Sequence, residues 1–271
     1  MHMLSLSERD FQRLVNFVKT NYGINLEHKQ QLIAGRLSNV ITSMGYNTFS
    51  EYIDHILSRK NPEDIEIMLN KLTTNYTYFM REEAHFDYFR TTVLPWLEQT
   101  KKNRVLSIWS AGCSSGQEPY TLSMILKDYF SSKTGMWDTR VLATDISQNV
   151  LDTAAAAEYE EESLRNLPAG WKGKYFRKSS KPGFYTVADC IKSNVIFRRF
   201  NLMEPIRFKL QFDVIFCRNV MIYFDQPTKE ALVKRFYDST VPGGYLFIGH
   251  SESLPKSNID YKYVIPAAYR K

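Results

Sequence analysis

Three groups of side chains in this 271-residue sequence have the types and spacing to do chemistry. The first is Gly112-Cys113-Ser114-Ser115-Gly116-Gln117-Glu118, a glycine-containing turn with a carboxylate just beyond it. Such a turn lets backbone N–H groups approach a ligand at a helix N-terminus. Asp145, 33 residues beyond Gly112, closes an apolar run and is placed to accept hydrogen bonds from a ribose diol. A dinucleotide site calls for G-x-G-x-x-G with the acid about 20 residues on. The third glycine is missing here, and so is the G-K-[ST] of a phosphate loop. A nucleoside ligand without a pyrophosphate fits better, and S-adenosylmethionine is the obvious one. Glu118 could then pair with the ammonium of its methionine part, although the helix dipole by itself favours an acid in the first turn.

The second group is Leu72-Thr73-Thr74-Asn75-Tyr76-Thr77-Tyr78-Phe79-Met80-Arg81, rich in side-chain donors and acceptors. The third is Arg218, Asn219 and Tyr223, delivered by the apolar run Phe212–Cys217. In open α/β sheets, ligands bind beyond the carboxyl ends of the strands. Cys113, Cys190 and Cys217 are too few and too scattered for a disulfide framework, and nothing near them has zinc-ligand spacing, so no metal is expected. There is no His/Asp or Cys/His arrangement that would serve as a general base.

The elements that must position these groups read in two styles. The first 70 residues give only helical periodicity. Phe11, Leu14, Val15, Phe17 and Val18 follow a cap-like Ser7; Leu32, Ile33, Leu37, Val40, Ile41 and Met44 form a second stripe stopped by Gly45. Phe49–Leu57 and Pro62–Leu72 are two further helices, the second with proline in its first turn. Beyond them strands alternate with helices: strand 104–109, helix 117–130, strand 140–144, helix 147–157, strands 195–200 and 212–217, helix 226–239, strand 244–250, and an edge strand within 261–269. That alternation predicts an α/β domain with a mostly parallel sheet. Residues 160–193 interrupt it with a small antiparallel insertion, centred on about 172–192.

Composition supports folded chains and excludes others. Hydrophobic residues make up 44% and charged residues 24%, which rules out intrinsic disorder. The longest apolar runs fall far short of a membrane-spanning helix. The N-terminus lacks the charged and apolar regions of a signal peptide, so a cytoplasmic location is expected. The net charge of +6 is uneven: residues 1–70 carry 7 basic and 8 acidic side chains, and residues 160–210 carry 11 and 5. A basic stretch can attract nucleic acid, anionic lipid or an acidic protein, or it can be an ordinary solvated face.

Six segments then point to one family. Leu72–Arg81, AGCSSGQEPYT at 111–121, ATDI at 143–146 with Asn201-Leu202, CRNVMIYFD at 217–225 and GHSES at 249–253 closely resemble the chemotaxis receptor methyltransferases, the CheR family. The resemblance is collinear over nearly the whole chain. It implies an all-α receptor-docking domain at 1–70 and, at 71–271, a class I, Rossmann-like S-adenosylmethionine-dependent methyltransferase domain. It implies methylation of chemoreceptor glutamates to γ-methyl esters, with S-adenosylhomocysteine as product. Carried over, the cofactor contacts fall on Asn75, Thr77, Arg81, Glu118, Asp145, Asn201, Leu202, Arg218 and Asn219. Arg81 and Tyr223 face the sulfonium and the acceptor. The partners are methyl-accepting chemoreceptors, with no nucleic acid, no membrane insertion and a monomeric enzyme. Two alternatives stand beside this: a nucleic-acid methyltransferase, encouraged by a pI near 9.0 but lacking a proline motif after Cys217, and a non-catalytic adaptor that only binds receptor or cofactor.

The chain departs from the family pattern in places. The helix 31–44 is often strongly basic in the family, where it docks on receptor; here Arg36 remains as a docking candidate, with Lys29 before it. Some members hold a receptor C-terminal tether on the insertion, whose loop is glycine-rich; the loop here, Ser179–Gly183, is shorter, and operation without a tether is expected. Gln117 stands where a second acid often precedes Glu118.

Overall fold

The computed structural model describes residues 4–59, 61–254 and 260–271; the first residues of the segment read for a leader lie outside them. The chain divides into two compact units. One comprises the residues up to Asn75 with Tyr223–Thr228, the other Tyr76–Ile222 with Lys229–Lys271.

The first unit is helical: α1 (Glu8–Tyr22), α2 (Gln30–Ser43), α3 (Phe49–Arg59) and α4 (Pro62–Leu72). Ser7 caps α1 by accepting the Asp10 N–H at 3.1 Å, and Gly23, at φ +73°, ends it. Asn61 caps α4, with Pro62 in the first turn where its missing N–H costs nothing. The apolar stripes meet inside: Leu14, Val18, Ile33, Leu37, Ile41, Ile53 and Met68 are buried. Tyr223–Thr228 joins this unit through an antiparallel bridge, Ile24 to Phe224, and an ion pair, Lys19 to Asp225 at 2.9 Å.

In the second unit α5 (Glu83–Tyr88), a π-helical turn (Phe89–Val93) and α6 (Leu94–Thr100) run on without a break. Pro95 cannot donate to the carbonyl four residues back, which accounts for the loosened turn ahead of it. Next come β1 (Ile108–Ala111), α7 (Gln117–Phe130), β2 (Val141–Asp145), α8 (Gln148–Ala156), β3 (Glu158–Glu160), α9 (Trp171–Tyr175), β4 (Phe176–Lys178), β5 (Phe184–Val187), α10 (Asp189–Lys192), β6 (Val195–Arg199) and β7 (Phe212–Cys217). The remainder is α11 (Gln226–Ser239), which starts in the Tyr223–Thr228 segment, then β8 (Thr240–Ile248), β9 (Lys262–Ile265) and β10 (Ala268–Arg270).

Among the described residues the main sheet has the order β6-β2-β1-β7-β8-β10-β9. β6, β2, β1, β7 and β8 are parallel, and β10 lies antiparallel between β8 and β9. β7, apolar except for Asp213, is buried along its whole length, as a central parallel strand must be. One core packs Phe86, Phe89, Leu97 and Leu126 with Val214, Phe216 and Phe247 of the sheet. Elsewhere Trp109 sits among Phe200, Phe208, Phe212 and Phe236 and donates its indole N–H to Thr144 at 2.9 Å.

Three expectations shift. The first strand begins at Ile108 rather than 104, because Val105 bridges to Asp138 and the Ser107 N–H is taken by the Asp213 side chain at 2.9 Å. The end of the chain is a hairpin, β9–β10, rather than one edge strand, since Ala267 at φ +59° turns it back. The insertion starts well before 172: its sheet is β3-β5-β4, and β3 was hidden because Glu158-Tyr159-Glu160 is too short and acidic to read as a strand. Four of the basic residues of 160–210 are held in ion pairs, Arg165 with Glu162, Lys172 with Glu161, Lys174 with Asp128 and Lys192 with Asp189, and only Asp128 comes from outside the stretch.

Candidate active site

Because β1, β2, β7 and β8 are parallel, their carboxyl ends share one edge of the sheet, and the loops that follow them carry the polar groups. After β1 the chain turns through Gly112 (φ +83°), Ser114 (φ +49°) and Gly116 (φ +95°) into α7. A Cβ on Gly112 would stand 2.4 Å from a Val220 methyl, and one on Gly116 would stand 2.8 Å from the Ala154 Cβ, so neither position accepts a larger residue. Asp145 closes β2 and holds this turn: its Oδ2 accepts the Ser114 N–H at 2.9 Å and its Oδ1 the Ser147 N–H at 3.1 Å.

Arg218, just after β7, is the hub of the site. Its side chain is 2% exposed. One Nη donates to Glu118 Oε2 at 3.0 Å and the other to Glu82 Oε2 at 3.0 Å and to the Arg81 carbonyl, while the guanidinium lies over the Phe86 ring. Glu118 Oε1 accepts from the Ser110 hydroxyl at 2.7 Å. Two carboxylates thus share one cation, leaving a net negative charge. Burial pushes the Glu82 carboxyl up, but Arg218 and the His250 N–H outweigh it and hold it below the usual range.

Asn219 adopts φ +60°, and its Nδ2 donates to Glu82 Oε1 at 3.4 Å. The unusual backbone is held by Glu252, which accepts the N–H groups of Asn219 (3.0 Å), Ile222 (3.0 Å) and Gly249 (2.5 Å). Burial outweighs even these bonds and raises the Glu252 carboxyl. Gly249 must be glycine, because a Cβ would lie 2.4 Å from Asn219 Nδ2.

The other sequence-identified residues are placed as follows. Arg81 turns its guanidinium to the Tyr76 carbonyl at 3.0 Å rather than to Glu82 or Glu83. Thr77 is half-buried. Asn201 and Leu202 follow β6; Asn201 accepts the Met203 N–H, and the buried Leu202 gives its carbonyl to Arg235 at 2.7 Å. Asn75 and Tyr223 belong to the first unit, where Thr73 donates to Asn75 Oδ1 at 3.3 Å and the Tyr223 hydroxyl donates to the Thr74 carbonyl at 3.1 Å. Arg36 is also in that unit. Its guanidinium lies on the carbonyls of Lys71, Leu72 and Thr73 at 3.1–3.4 Å, so it caps the C-terminus of α4.

Glu82, the second acid on Arg218, carries no signal in the sequence. Glu252 is visible there only as part of the GHSES string. No nucleophilic cysteine is available in the site: burial drives the thiols of Cys113 and Cys217 well above their ordinary values. The buried His85 is pushed down to about 4 by burial and by the charge of Arg218.

Residues 9–73 match the family model for the CheR methyltransferase all-alpha domain, and residues 75–269 that for the CheR methyltransferase SAM-binding domain. The chain belongs to the CheR methyltransferase family. It is 40% identical to the chemotaxis protein methyltransferase of Borreliella burgdorferi, over 99% of this chain and 96% of that one. The chemotaxis protein methyltransferase 1 of Pseudomonas aeruginosa is 34% identical, over 96% of each chain. That of Escherichia coli is 34% identical, over 97% of this chain and 90% of its own. The chain is therefore a methyltransferase with an S-adenosylmethionine-binding domain. Its main sheet is the mostly parallel sheet of that fold, and β3-β5-β4 is the small antiparallel insertion. Among the described residues no helix is long and apolar enough to cross a membrane.

Proposed function

We propose that this methyltransferase converts glutamate side chains of chemoreceptors to γ-methyl esters, as part of chemotactic adaptation. The observation that carries the reading is the Arg218 hub, which holds Glu118 at the carboxyl end of the sheet beside a glycine turn clamped by Asp145. This donor set fits S-adenosylmethionine: Glu118 is an anion for its ammonium and Asp145 an acceptor for its ribose diol, with Asn75, Thr77, Arg81, Asn201, Leu202, Arg218 and Asn219 completing the contacts. When bound, the cofactor supplies an electrophilic methyl group on a sulfonium.

An acceptor glutamate is already ionised at neutral pH, so no general base is needed. The burden on the protein is to orient that carboxylate and remove its water. Arg81, whose guanidinium donates to the Tyr76 carbonyl and lies over the Tyr78 ring, is assigned to hold the acceptor or the cofactor carboxylate. Tyr223 is assigned to orient the acceptor oxygen through its hydroxyl, whose proton then turns from the Thr74 carbonyl to the carboxylate. Neither step consumes a proton. The proposed partner is a chemoreceptor, and a monomer suffices because both assigned residues are in one chain.

The test is transfer of labelled methyl from S-adenosylmethionine to a chemoreceptor cytoplasmic fragment. The expected product is a protein-bound ester that releases methanol in mild base. Label that survives base, or that enters nucleic acid instead, would overturn the assignment. Binding of S-adenosylhomocysteine with no transfer to any receptor would favour the adaptor.

A further inference from the structure

Spacing in the sequence suggests no metal site, yet the fold brings three donors together from distant parts of the chain. Glu82 immediately precedes α5, His85 lies in its first turn, and His250 follows β8. One donor atom from each lies within 4.8 Å of the other two. His85 is fully buried, and its Nε2 is 2.9 Å from the Pro266 carbonyl oxygen. A carbonyl can only accept, so Nε2 carries the proton and the Nδ1 lone pair is exposed to its surroundings. That Nδ1 is buried and makes no hydrogen bond among the described residues. It faces Glu82 Oε2 at 3.5 Å, another lone-pair donor. Two such atoms repel each other unless a cation lies between them. A ring nitrogen donating to a backbone carbonyl, which leaves the lone pair of the other nitrogen for a metal, is how metal-binding histidines are oriented.

The third donor is adaptable. The His250 ring packs edge-on to His85 with centroids 4.6 Å apart, and the residue is exposed. Its backbone N–H already donates to Glu82 Oε1 at 3.2 Å, which keeps it beside the other two. Glu82 and Glu118 together outnumber the single charge of Arg218, although Arg218 itself stands against a second cation at His85.

We propose that Glu82, His85 and His250 form a binding site for a divalent transition-metal ion of the Zn2+ class. One carboxylate oxygen and two imidazole nitrogens suit that class, with the fourth position open to solvent. Calcium and magnesium, which take oxygen ligands, are poorly matched. Donors in a tetrahedral zinc site are ~3.4 Å apart, close to the 3.5 Å between His85 Nδ1 and Glu82 Oε2, so it is the exposed His250 ring that adjusts on binding. Glu82 is also a partner of Arg218. A metal on Glu82 leaves Arg218 to bind Glu118 more tightly, in competition with the cofactor ammonium. Resting on the assignment of Glu118 above, metal occupancy therefore weakens cofactor binding.

The experiment uses the untagged full chain carrying Cys190→Ser, which removes an exposed thiol. Zn2+ is titrated by calorimetry and Co2+ by its visible d–d absorption. The expected result is a single saturable site per chain with the Co2+ spectrum of a four-coordinate ion, weakened about tenfold or more by His250→Ala. His250→Phe, which keeps the packing on His85 and loses the donor, should behave the same way. Absence of saturable binding, or parent-like affinity in both His250 variants, overturns the site. S-adenosylhomocysteine affinity is measured on the same samples without metal. Its absence would refute the cofactor assignment alone, while metal binding that leaves it unchanged would refute the coupling alone.

Discussion

In Arg218→Leu, a guanidinium that is 2% exposed is removed from between two carboxylates that are each 13% exposed. Both Glu82 and Glu118 lose their ion pair, and the Arg81 carbonyl loses a donor. Removing one partner of a buried pair costs about 3–5 kcal/mol, mostly the penalty of the charge left behind. Some water reaches both carboxylates, so the lower end, about 3 kcal/mol, applies. In a domain of this size 1 kcal/mol shifts the melting temperature by roughly 2–4 °C, giving a drop on the order of 10 °C. Arg218→Lys keeps the charge but loses the fork that spans both acids, and should fall between the parent and the leucine variant.

The pH dependence follows from Glu82. In the parent its folded value is depressed, so the stability it brings is present above the unfolded value, about 4.3, and is lost as pH falls through the folded value. In Arg218→Leu the guanidinium is gone, the His250 N–H alone of the two named partners still opposes burial, and the folded value rises. The variant is then penalised most near neutrality and relieved on acidification. Thermal unfolding of both proteins at neutral and mildly acidic pH is the assay. A melting temperature within about 2 °C of the parent at neutral pH, or a gap that widens in acid, would refute the reasoning.

Gly249→Ala should weaken S-adenosylhomocysteine binding by about tenfold or more and cost about 1–3 kcal/mol, because the new Cβ would strike the Asn219 backbone and side chain; unchanged affinity by calorimetry would take Asn219 out of the site. Arg36→Ala should lower the melting temperature through loss of about 1 kcal/mol of capping at α4. If Arg36 serves docking alone, melting stays constant and only receptor methylation falls. Asp225→Asn keeps a side-chain acceptor for the Thr228 N–H and removes the Lys19 ion pair, so it should cost less than ~1 kcal/mol at neutral pH. The Asp225 carboxyl is held low by its hydrogen bond to Thr228, against burial, and by Lys19. Its contribution is present above about 3.9 and lost as pH falls through the folded value, so the two melting curves should converge in acid.

Local chemistry wrote much of this fold into the sequence. Helix α7, strand β7 and helix α11 fall on the predicted residues, because each combines one clear period with an unmistakable stop. The Ser7 cap and the Gly45 stop are equally local, since each depends on a few adjacent residues. Glu118, Asp145, Arg218 and Asn219 could be singled out because the glycine turn and the strand ends dictate where polar groups emerge. Their tertiary partners could not. Glu82 pairs with Arg218 across 136 positions of sequence, so no window of residues contains the signal. Arg36 illustrates the opposite case: an exposed-looking arginine on a helix is bound to the carbonyl end of another helix. β3 escaped notice because three residues carry too little periodicity, and only pairing with β5 makes them a strand. The sequence by itself determined most of the elements, the glycine turn after the first strand and the family, all set by neighbours along the chain. The tertiary structure alone decided which charges share a buried space, because Coulomb and desolvation energies depend on distance through the fold.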